Sequence, residues 1–241
     1  MCGIFAFISR LEISEDLKLK LTKSAMTIKE RGPDNTVTRM VDNTKYAVFH
    51  RLCINDLSEL GNQPLNHPDD LNITILCNGE IYNWKQLATN YQFNIKSTSD
   101  CEVIVHMYKR FGIERTVKEL DGVFAFILID NNTQKVWMAR DPIGVRPLFF
   151  GKTSDNNSVA ICSELKGIKD IVSKDIQQLP AGTYSEVYEI NPVRYYSHHY
   201  QTRKEKVEAI LCKKIRQNLE NAVEKRLLSD RPIGCLLSGG L

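Results

Sequence analysis

The sequence opens with "MCGIFAFI" (residues 1–8), and the second residue of this stretch decides how the rest of the chain is interpreted. If Met1 is removed, Cys2 carries a thiol and a free α-amine on the same carbon atom. The ordinary pKa values of these two groups, about 8.5 and about 7.7–8.0, lie close to working pH, so the thiol can act as a nucleophile and the amine as its base. Gly3 leaves the backbone free to bend around a bound substrate. A Met-Cys start also occurs by chance, so the interpretation depends on what the remaining sequence supplies.

The bulk composition is typical of an ordinary soluble globular protein, with 42% hydrophobic and 25% charged residues in a chain of 241. The net charge of +3 is too small to predict a nucleic-acid partner. No apolar run approaches the ~20 residues that a membrane span needs. No basic residue precedes the short apolar start, so a signal peptide is not predicted either.

The seven cysteines are an odd number and contain no Cys-x-x-Cys pair. This pattern favours neither a disulfide framework nor a zinc site. We therefore expect free thiols in a reducing compartment, the cytoplasm, and no bound metal. The five histidines show no metal-ligand spacing, and His198-His199 is interpreted as a solvated pair. Structural roles are predicted for four cysteines: Cys53, Cys77, Cys101 and Cys162.

Short runs rich in β-branched and aromatic residues fill the first two thirds of the chain. The predicted strands cover residues 46–54, 72–79, 123–130, 135–141, 147–152 and 158–164. The short gap between 123–130 and 135–141 predicts an antiparallel hairpin. Helical patterns are interleaved with the strands, over 14–32, 99–112 and 112–121. Gly112 is expected to end the second of these helices.

The character of the sequence changes after about residue 188. Residues 189–206 are polar and irregular, and they are interpreted as a linker. An amphipathic helix is predicted over 207–228, followed by a short apolar strand over 231–237 that leads directly into Ser-Gly-Gly. A helix, a buried strand and a glycine turn are the usual opening of an α/β domain with a parallel sheet. The sequence therefore predicts one β-rich domain and the start of a second, different domain.

Three further sites could complete an amide-cleaving centre around Cys2. Arg51 lies at the start of a strand-like run, and a guanidinium can fork onto a carboxylate. Asn78 and Gly79 lie where a strand ends, and two N–H donors can stabilise an oxyanion. Asp100 lies near a helix start, where a carboxylate could hold an ammonium group. Each also has a plain structural alternative: a surface ion pair, a type I′ turn and a helix cap, respectively.

Eight motifs occur together in a fixed order: "MCGIFAF", "RGPDN", "HRLCIND", "NQPL", "CNGEIYN", "SDCEVI", "LDGVFAFILID" and "ARDPIGVRPLFFG". Between residue 2 and about residue 188 the chain resembles the glutaminase domain of class II glutamine amidotransferases, which are N-terminal-nucleophile hydrolases. The end of the chain, "AVEKRLLSDRPIGCLLSGGL" (222–241), resembles the start of the ATP-binding domain of glutamine-hydrolysing asparagine synthetases. The resemblance implies an α+β fold: a four-layer αββα sandwich, followed by the first helix and strand of a truncated α/β domain. It also implies domains over 2–188 and 207–241, joined by the linker 189–206.

The resemblance assigns roles to individual residues of this chain. It implies that Cys2 forms a glutamyl thioester, that its own α-amine is the base, and that Asn78 and Gly79 form the oxyanion hole. The implied glutamine-binding residues are Arg51, Leu52, Cys53, Ile54, Asn55, Asn78, Gly79, Glu80 and Asp100. The implied part of the ATP site is Leu237, Ser238, Gly239 and Gly240. One departure is Glu30, which precedes "RGPD" where histidine is frequent in the family.

The glutaminase half implies no cofactor, whereas a complete synthetase would use ATP and Mg²⁺ with aspartate as the acceptor of ammonia. In the family the Ser-Gly-Gly-Leu motif at the end of the chain continues with an aspartate and a second serine, which this sequence does not contain. We therefore expect this chain to retain at most the glutaminase activity. The expected partners are small molecules, with a homodimer as a further expectation. Two alternatives remain: the glutaminase domain of another class II amidotransferase, and a non-catalytic glutamine-binding or regulatory remnant.

Overall fold

The structure is a computed structural model that describes residues 1–197, 208–237 and 239. The chain divides into two compact units, Met1–Ser197 and His198–Leu241. The first unit contains two β-sheets with helices on their outer faces, and the second contains one helix among its described residues.

The strands of the first unit are β1 (Gly3–Ser9), β2 (Asn35–Asp42), β3 (Lys45–Arg51), β4 (Leu65–His67), β5 (Asp70–Ile81), β6 (Gly122–Asp130), β7 (Lys135–Arg140), β8 (Phe149–Lys152), β9 (Ser158–Cys162), β10 (Lys174–Gln178), β11 (Thr183–Glu186) and β12 (Val193–Arg194). Its helices are α1 (Glu15–Met26), α2 (Trp84–Tyr91) and α3 (Glu102–Glu119). Six strands form one sheet in the order β10-β8-β9-β1-β3-β2, and six form the other in the order β12-β11-β7-β6-β5-β4. The strand pairs are antiparallel, and the predicted hairpin of β6 and β7 is confirmed.

The first strand shows how one sequence pattern produces a layered core. All seven residues of β1 are buried, because the strand is covered on both of its faces. Successive side chains of a strand point to opposite faces. Accordingly Phe5 and Phe7 pack with Leu21 of α1, while Ile4 and Ala6 pack against the second sheet.

The second sheet repeats this arrangement. Ala125 and Ile127 of β6 face the first sheet, whereas Phe124 and Phe126 pack with α3. Each fully buried isoleucine or phenylalanine side chain contributes about 1.5–3 kcal/mol by leaving water. The first unit is therefore a four-layer αββα sandwich, as the resemblance implied.

The predicted helix over 14–32 is shorter in the structure. It begins where expected, because the Ser14 side chain accepts the Leu17 N–H as an N-cap. The α-helix ends at Met26, and a separate 3₁₀ turn covers Lys29–Arg31. This turn contains Glu30, whose side chain is exposed.

Gly112 separates two helical segments as predicted. It lies inside α3 with φ of +75° and ψ of 175°, a backbone conformation that is not helical. No atom lies within 4 Å of the position that a Cβ would occupy there, so the constraint is conformational rather than steric.

The second unit departs from the sequence-based prediction. The amphipathic helix α4 (Glu208–Glu224) is present, although the prediction extended it to residue 228. The predicted strand over 231–237 is wrong, because these residues form no regular structure. A single strand has no partner for its backbone hydrogen bonds within these residues, and a strand is stable only within a sheet.

Residues 189–206, which were predicted to be a linker, contain one short strand among their described residues. β12 lies at the edge of the second sheet, where Thr183 is paired with Arg194. His198 and His199 lie outside the described residues. No helix in the described part of the chain combines the length and the apolar composition that crossing a membrane requires.

Candidate active site

Several of the sequence-predicted residues meet in one cavity in the first unit. The pairing of Gly3 with His50 places Cys2 beside Arg51, because β1 and β3 are neighbours. The second sheet contributes β5, and the segment before α3 contributes Asp100. The predicted residues that line the cavity are Cys2, Arg51, Leu52, Ile54, Asn55, Asn78, Gly79, Glu80 and Asp100. Cys53 does not line it.

The thiol of Cys2 lies against the backbone of Leu52. The Leu52 N–H donates to Sγ at 3.4 Å, and the thiol faces the Leu52 carbonyl at 3.6 Å. Burial raises the pKa of the Cys2 thiol, although the contact with Leu52 opposes the shift. A thiol with a raised pKa needs a neighbouring base to become a nucleophile.

The amino terminus is partly buried beside both cationic and anionic groups. The structure includes Met1, so the nitrogen of Cys2 is part of a peptide bond. Burial lowers the pKa of the Met1 α-amine; the Cys2 thiol opposes this shift, and the guanidinium groups of Arg31 and Arg146 add to it. The lowered pKa means that this amine loses its proton more readily than an exposed amine would.

A clamp that sequence reasoning missed holds the first residues of β1. Arg31 donates from Nε to the Cys2 carbonyl at 3.0 Å and forms an ion pair with Glu164 at 2.8 Å. The Ser163 hydroxyl accepts the Ile4 N–H at 3.0 Å, and the Ser163 N–H donates to the Ile4 carbonyl. "RGPDN" signalled Arg31 in the sequence, but its partner is 133 residues away.

Arg51 ends β3 rather than starting a strand, so that prediction of its position was wrong. Its guanidinium is buried, and it is not a surface ion pair. Nη1 donates to the Ser58 carbonyl at 2.7 Å and to Asn62 Oδ1 at 2.9 Å, and Nη2 donates to the Asp56 carbonyl. These bonds use three of the five N–H groups that an arginine carries, which leaves donors for a carboxylate in the cavity.

Asn78 and Gly79 lie inside β5, where they pair with Ala125 and Phe124, so a type I′ turn is ruled out. The Asn78 side chain is 1% exposed, and its Nδ2 has no hydrogen-bond partner among the described residues. A buried donor without a partner costs about 1–3 kcal/mol. Because the unpartnered amide of Asn78 lines the cavity, it is available to donate a hydrogen bond to an oxygen atom of a ligand.

The N–H of Gly79 also points to the cavity edge of β5. N–H groups of alternate residues in a strand share one edge. Tyr82 donates towards β6, to the carbonyl of Asp121, whereas Cys77 and Ile81 donate to the opposite edge. Gly79 lies between those two residues, so its N–H faces the same edge as theirs.

Side chains bind the backbone groups of β5 on either side of the Gly79 N–H. Gln63 accepts the Cys77 N–H at 2.5 Å and donates to the Cys77 carbonyl at 3.1 Å, as a neighbouring strand would do. The Asp100 carboxylate accepts the Ile81 N–H at 2.6 Å. β4 pairs with β5 only between Asp70 and Ile75, so the edge beyond is open to the cavity.

Asp100 is a buried carboxylate, and it caps no helix, because the N-cap position of α3 is Cys101. Its second oxygen accepts the Asn55 side-chain amide at 3.3 Å. Burial raises the pKa of Asp100 to about 6, against the hydrogen bonds from Ile81 and Asn55 that lower it. A cation that enters the cavity would neutralise this buried charge.

Glu80 is paired with Arg146, a residue that sequence reasoning did not single out. Arg146 Nη2 lies 3.1 Å from Glu80 Oε1, and both side chains line the cavity. The Asp141 carboxylate fixes the loop that carries Arg146: it accepts the backbone N–H groups of Ile143, Gly144, Val145, Arg146 and Phe124. Arg140 braces the same loop through the carbonyls of Arg146 and Gly144.

Of the remaining cysteines of the first unit, Cys77 and Cys101 line the cavity, whereas Cys53 and Cys162 do not. Cys53 donates its backbone N–H to Asp34 at 2.7 Å. The neighbouring Cys77 thiol and burial together raise the pKa of Cys101 well above its usual value. Burial raises the pKa of Cys162 to about 12.

The predicted ATP residues form no site within the described part of the second unit. Leu237 is 94% exposed, and Gly239 has φ of +68°. Ser238 and Gly240 lie outside the described residues. The residues before Leu237 form no strand that could place these groups around a phosphate, so the described residues do not by themselves fit a nucleotide.

Two family models match the chain. The model described as "Glutamine amidotransferase domain" matches residues 1–205, and the one described as "Asparagine synthase" matches residues 214–241. Among curated proteins, the chain is similar to "Asparagine synthetase [glutamine-hydrolyzing]" of Bos taurus, with 38% identity over 269 positions. The Homo sapiens protein of the same name is 36% identical over 270 positions. Each match covers 100% of this chain and 46% of the relative, so the chain spans about half the length of these relatives.

Among solved structures, the chain is similar to the glutamine phosphoribosylpyrophosphate amidotransferase of B. subtilis, at 20% identity and a TM-score of 0.64. That match covers 82% of this chain and 50% of the other. A structure described as the allosteric regulatory enzyme of purine biosynthesis matches at 19% identity and a TM-score of 0.65, with the same coverage. At this level of identity the likeness concerns the fold alone.

Proposed function

The chain belongs to the glutamine amidotransferase domain family, and on that premise we propose that it hydrolyses the side-chain amide of glutamine with Cys2 as the nucleophile. The observation that carries the proposal is the convergence in one cavity of a thiol, an unpartnered amide donor and an outward-facing backbone N–H: Cys2, Asn78 and Gly79. The cavity also has a buried cation and a buried anion, Arg51 and Asp100. Both charges match the α-groups of a free amino acid.

Substrate binding uses the two charges. The guanidinium of Arg51 donates hydrogen bonds to the α-carboxylate of glutamine, and the Asp100 carboxylate accepts hydrogen bonds from the α-ammonium group. Glu80 contributes negative charge near that ammonium group. Leu52, Ile54 and Asn55 also line the cavity. Cys53 does not line it, but its backbone N–H donates to Asp34 in the adjoining loop.

The chemical step follows from a free amino terminus. Once Met1 is removed, the thiol of Cys2 gives its proton to its own α-amine, and the thiolate attacks the amide carbon. The resulting oxyanion accepts hydrogen bonds from Asn78 Nδ2 and the Gly79 N–H, where one such donor is typically worth about 2.7–4 kcal/mol of the barrier. The C–N bond breaks, and ammonia leaves with the proton from the α-ammonium. Water then hydrolyses the thioester, releases glutamate and restores the thiol.

The similarity to longer relatives also supports a domain organisation and a fate for the ammonia. We assign residues 2–188 to the glutaminase domain, 189–206 to a linker and 207–241 to the start of a synthetase domain. The asparagine synthase match over 214–241 supports the last assignment. In a longer protein with a complete second domain, ammonia would convert aspartate to asparagine, with ATP, as its Mg²⁺ complex, cleaved to AMP and pyrophosphate.

The test is glutamate release from glutamine by the purified chain, with loss of Met1 verified by mass spectrometry. We expect release by the wild type and none by Cys2→Ala, and Cys212→Ala is the matched control because that thiol is exposed in α4. A form with an uncleavable residue before Cys2 should be inactive, because its nitrogen is then an amide. Glutamine binding without turnover, measured by calorimetry, would instead favour a non-catalytic glutamine-binding role.

A further inference from the structure

The loop between β3 and β4 is attached to the rest of the cavity through the side chain of Asp56. This residue is 3% exposed and has φ of +56°, in the left-handed region. Its Oδ1 accepts the N–H and the hydroxyl of Ser58, at 3.0 and 2.5 Å. Its Oδ2 accepts the N–H of Thr98 at 2.9 Å. Burial alone would raise the pKa of Asp56, but these hydrogen bonds outweigh it and hold the pKa below its usual value.

The backbone of the same residue contacts the buried guanidinium. The Asp56 carbonyl accepts a hydrogen bond from Arg51 Nη2. Ser58, which the Asp56 carboxylate holds, uses its own carbonyl to accept Arg51 Nη1 at 2.7 Å. The position of the guanidinium is therefore set by the loop conformation that Asp56 stabilises.

The other carboxylate oxygen of Asp56 binds the segment that carries the buried carboxylate of Asp100. Thr98 lies two residues before Asp100, in the segment that precedes α3. The residue before Asp56 provides a parallel link, because the Asn55 amide donates to Asp100 Oδ1 at 3.3 Å. Two bonds thus join the loop that holds Arg51 to the segment that carries Asp100.

We propose that Asp56 is a positioning residue that sets the spacing between Arg51 and Asp100, and so the selectivity of the cavity for a free α-amino acid. This inference rests on the proposed glutaminase function. The two charged groups of such a substrate are attached to one carbon atom, so their separation is fixed. A guanidinium and a carboxylate can bind both groups at once only if the protein fixes their own separation to match.

The left-handed backbone of Asp56 allows a test that keeps the loop folded. Asparagine and glycine both tolerate a positive φ. Asp56→Asn keeps the shape but replaces one acceptor oxygen with an amide, and Asp56→Gly removes the carboxylate while its carbonyl can still meet Arg51. Asp175 provides the matched control, because it also has a positive φ, of +51°, and lies in β10.

The assay compares L-glutamine with 4-carbamoylbutanoate, which is glutamine without its α-amine. In both Asp56 variants we expect KM for L-glutamine to rise about 10–100-fold with kcat little changed. The preference for L-glutamine over the analogue should fall, because Asp100 no longer meets the amine correctly. Asp175→Asn and Asp175→Gly should keep the wild-type KM and preference.

Two outcomes would overturn the inference. One is an unchanged preference for L-glutamine in both Asp56 variants, with only a lower melting temperature, since that identifies a purely structural residue. The other is a fall in kcat at constant KM, since that places the effect on the chemical step. An absence of glutamate release by the wild type is a different result, because it refutes the proposed function before Asp56 is tested.

Discussion

Replacing Asn78 with leucine should make the protein more stable and nearly inactive. The two side chains have the same branched shape, but leucine has no donor. In the structure Asn78 Nδ2 is buried and has no hydrogen-bond partner among the described residues. The native residue therefore carries an energetic cost that we attribute to its role in the reaction.

The size of the stability effect follows from that buried donor. An unsatisfied buried polar group costs about 1–3 kcal/mol, and Asn78→Leu removes it without opening a cavity. For a domain of about 150–250 residues, each kcal/mol shifts the melting temperature by about 2–4 °C. The first unit, Met1–Ser197, falls within this size range. We expect a melting temperature at least about 2 °C above that of the wild type.

The effect on the reaction has the opposite sign. Removal of one oxyanion donor lowers kcat by about 10²–10³-fold. KM for glutamine should change little, because in the proposed binding mode the α-groups are held by Arg51 and Asp100, which Asn78→Leu leaves in place. The experiment combines glutamate release under saturating glutamine with thermal unfolding of the same preparations.

Asn72→Leu is the matched control, because Asn72 lies on the same strand and its amide donates to Asn132 Oδ1 at 2.8 Å. This control should lose a little stability and keep its kcat. A fall of several degrees in melting temperature for Asn78→Leu, together with kcat within tenfold of the wild type, would refute the oxyanion role of Asn78.

Gly79→Ala should lower the free energy of unfolding by about 1–3 kcal/mol or more, because its Cβ would lie 2.5 Å from the carbonyl oxygen of Val123, a backbone atom that cannot move alone. A urea transition with an unchanged midpoint would contradict this. Asp141→Ala should cost at least about 3 kcal/mol and raise KM, because the loop carrying Arg146 loses its anchor: the N–H groups of Ile143, Val145, Arg146 and Phe124 lose the carboxylate acceptor, and Gly144 keeps only the residue-141 carbonyl; normal unfolding and KM would show that the anchor is dispensable. The pKa of Asp100, about 6, predicts that kcat/KM for glutamine falls as pH drops below about 6, because the protonated carboxyl cannot hold an ammonium group. Stability changes with pH in the opposite direction. Because the pKa of Asp100 is raised in the folded state, protonation of Asp100 increases the free energy of unfolding as pH falls from about 6 towards 4, and this stabilisation is lost as pH rises through 6. Unfolding measured as a function of pH checks this.

The local sequence determined most elements of the first unit. Near-continuous apolar runs such as 123–130 fix both the strand and its two buried faces. A positive φ at Gly112 and an N-cap at Ser14 follow from the chemistry of single residues. The motifs also named the residues that the structure brings into one cavity, although they could not supply the distances between them.

Only the tertiary structure decided how those residues act together. Arg51 ends β3 and binds a loop rather than a surface partner, and Glu164 reaches Arg31 across 133 residues. The positions of Arg146 and Asp56 in the site depend on partners in other segments, Glu80 and Thr98 respectively. The predicted strand over 231–237 failed for the same reason, since a strand depends on neighbours that its own sequence does not contain. Residue type and local periodicity fix short-range structure, whereas the burial of a charge or a donor depends on which distant segments fold against it.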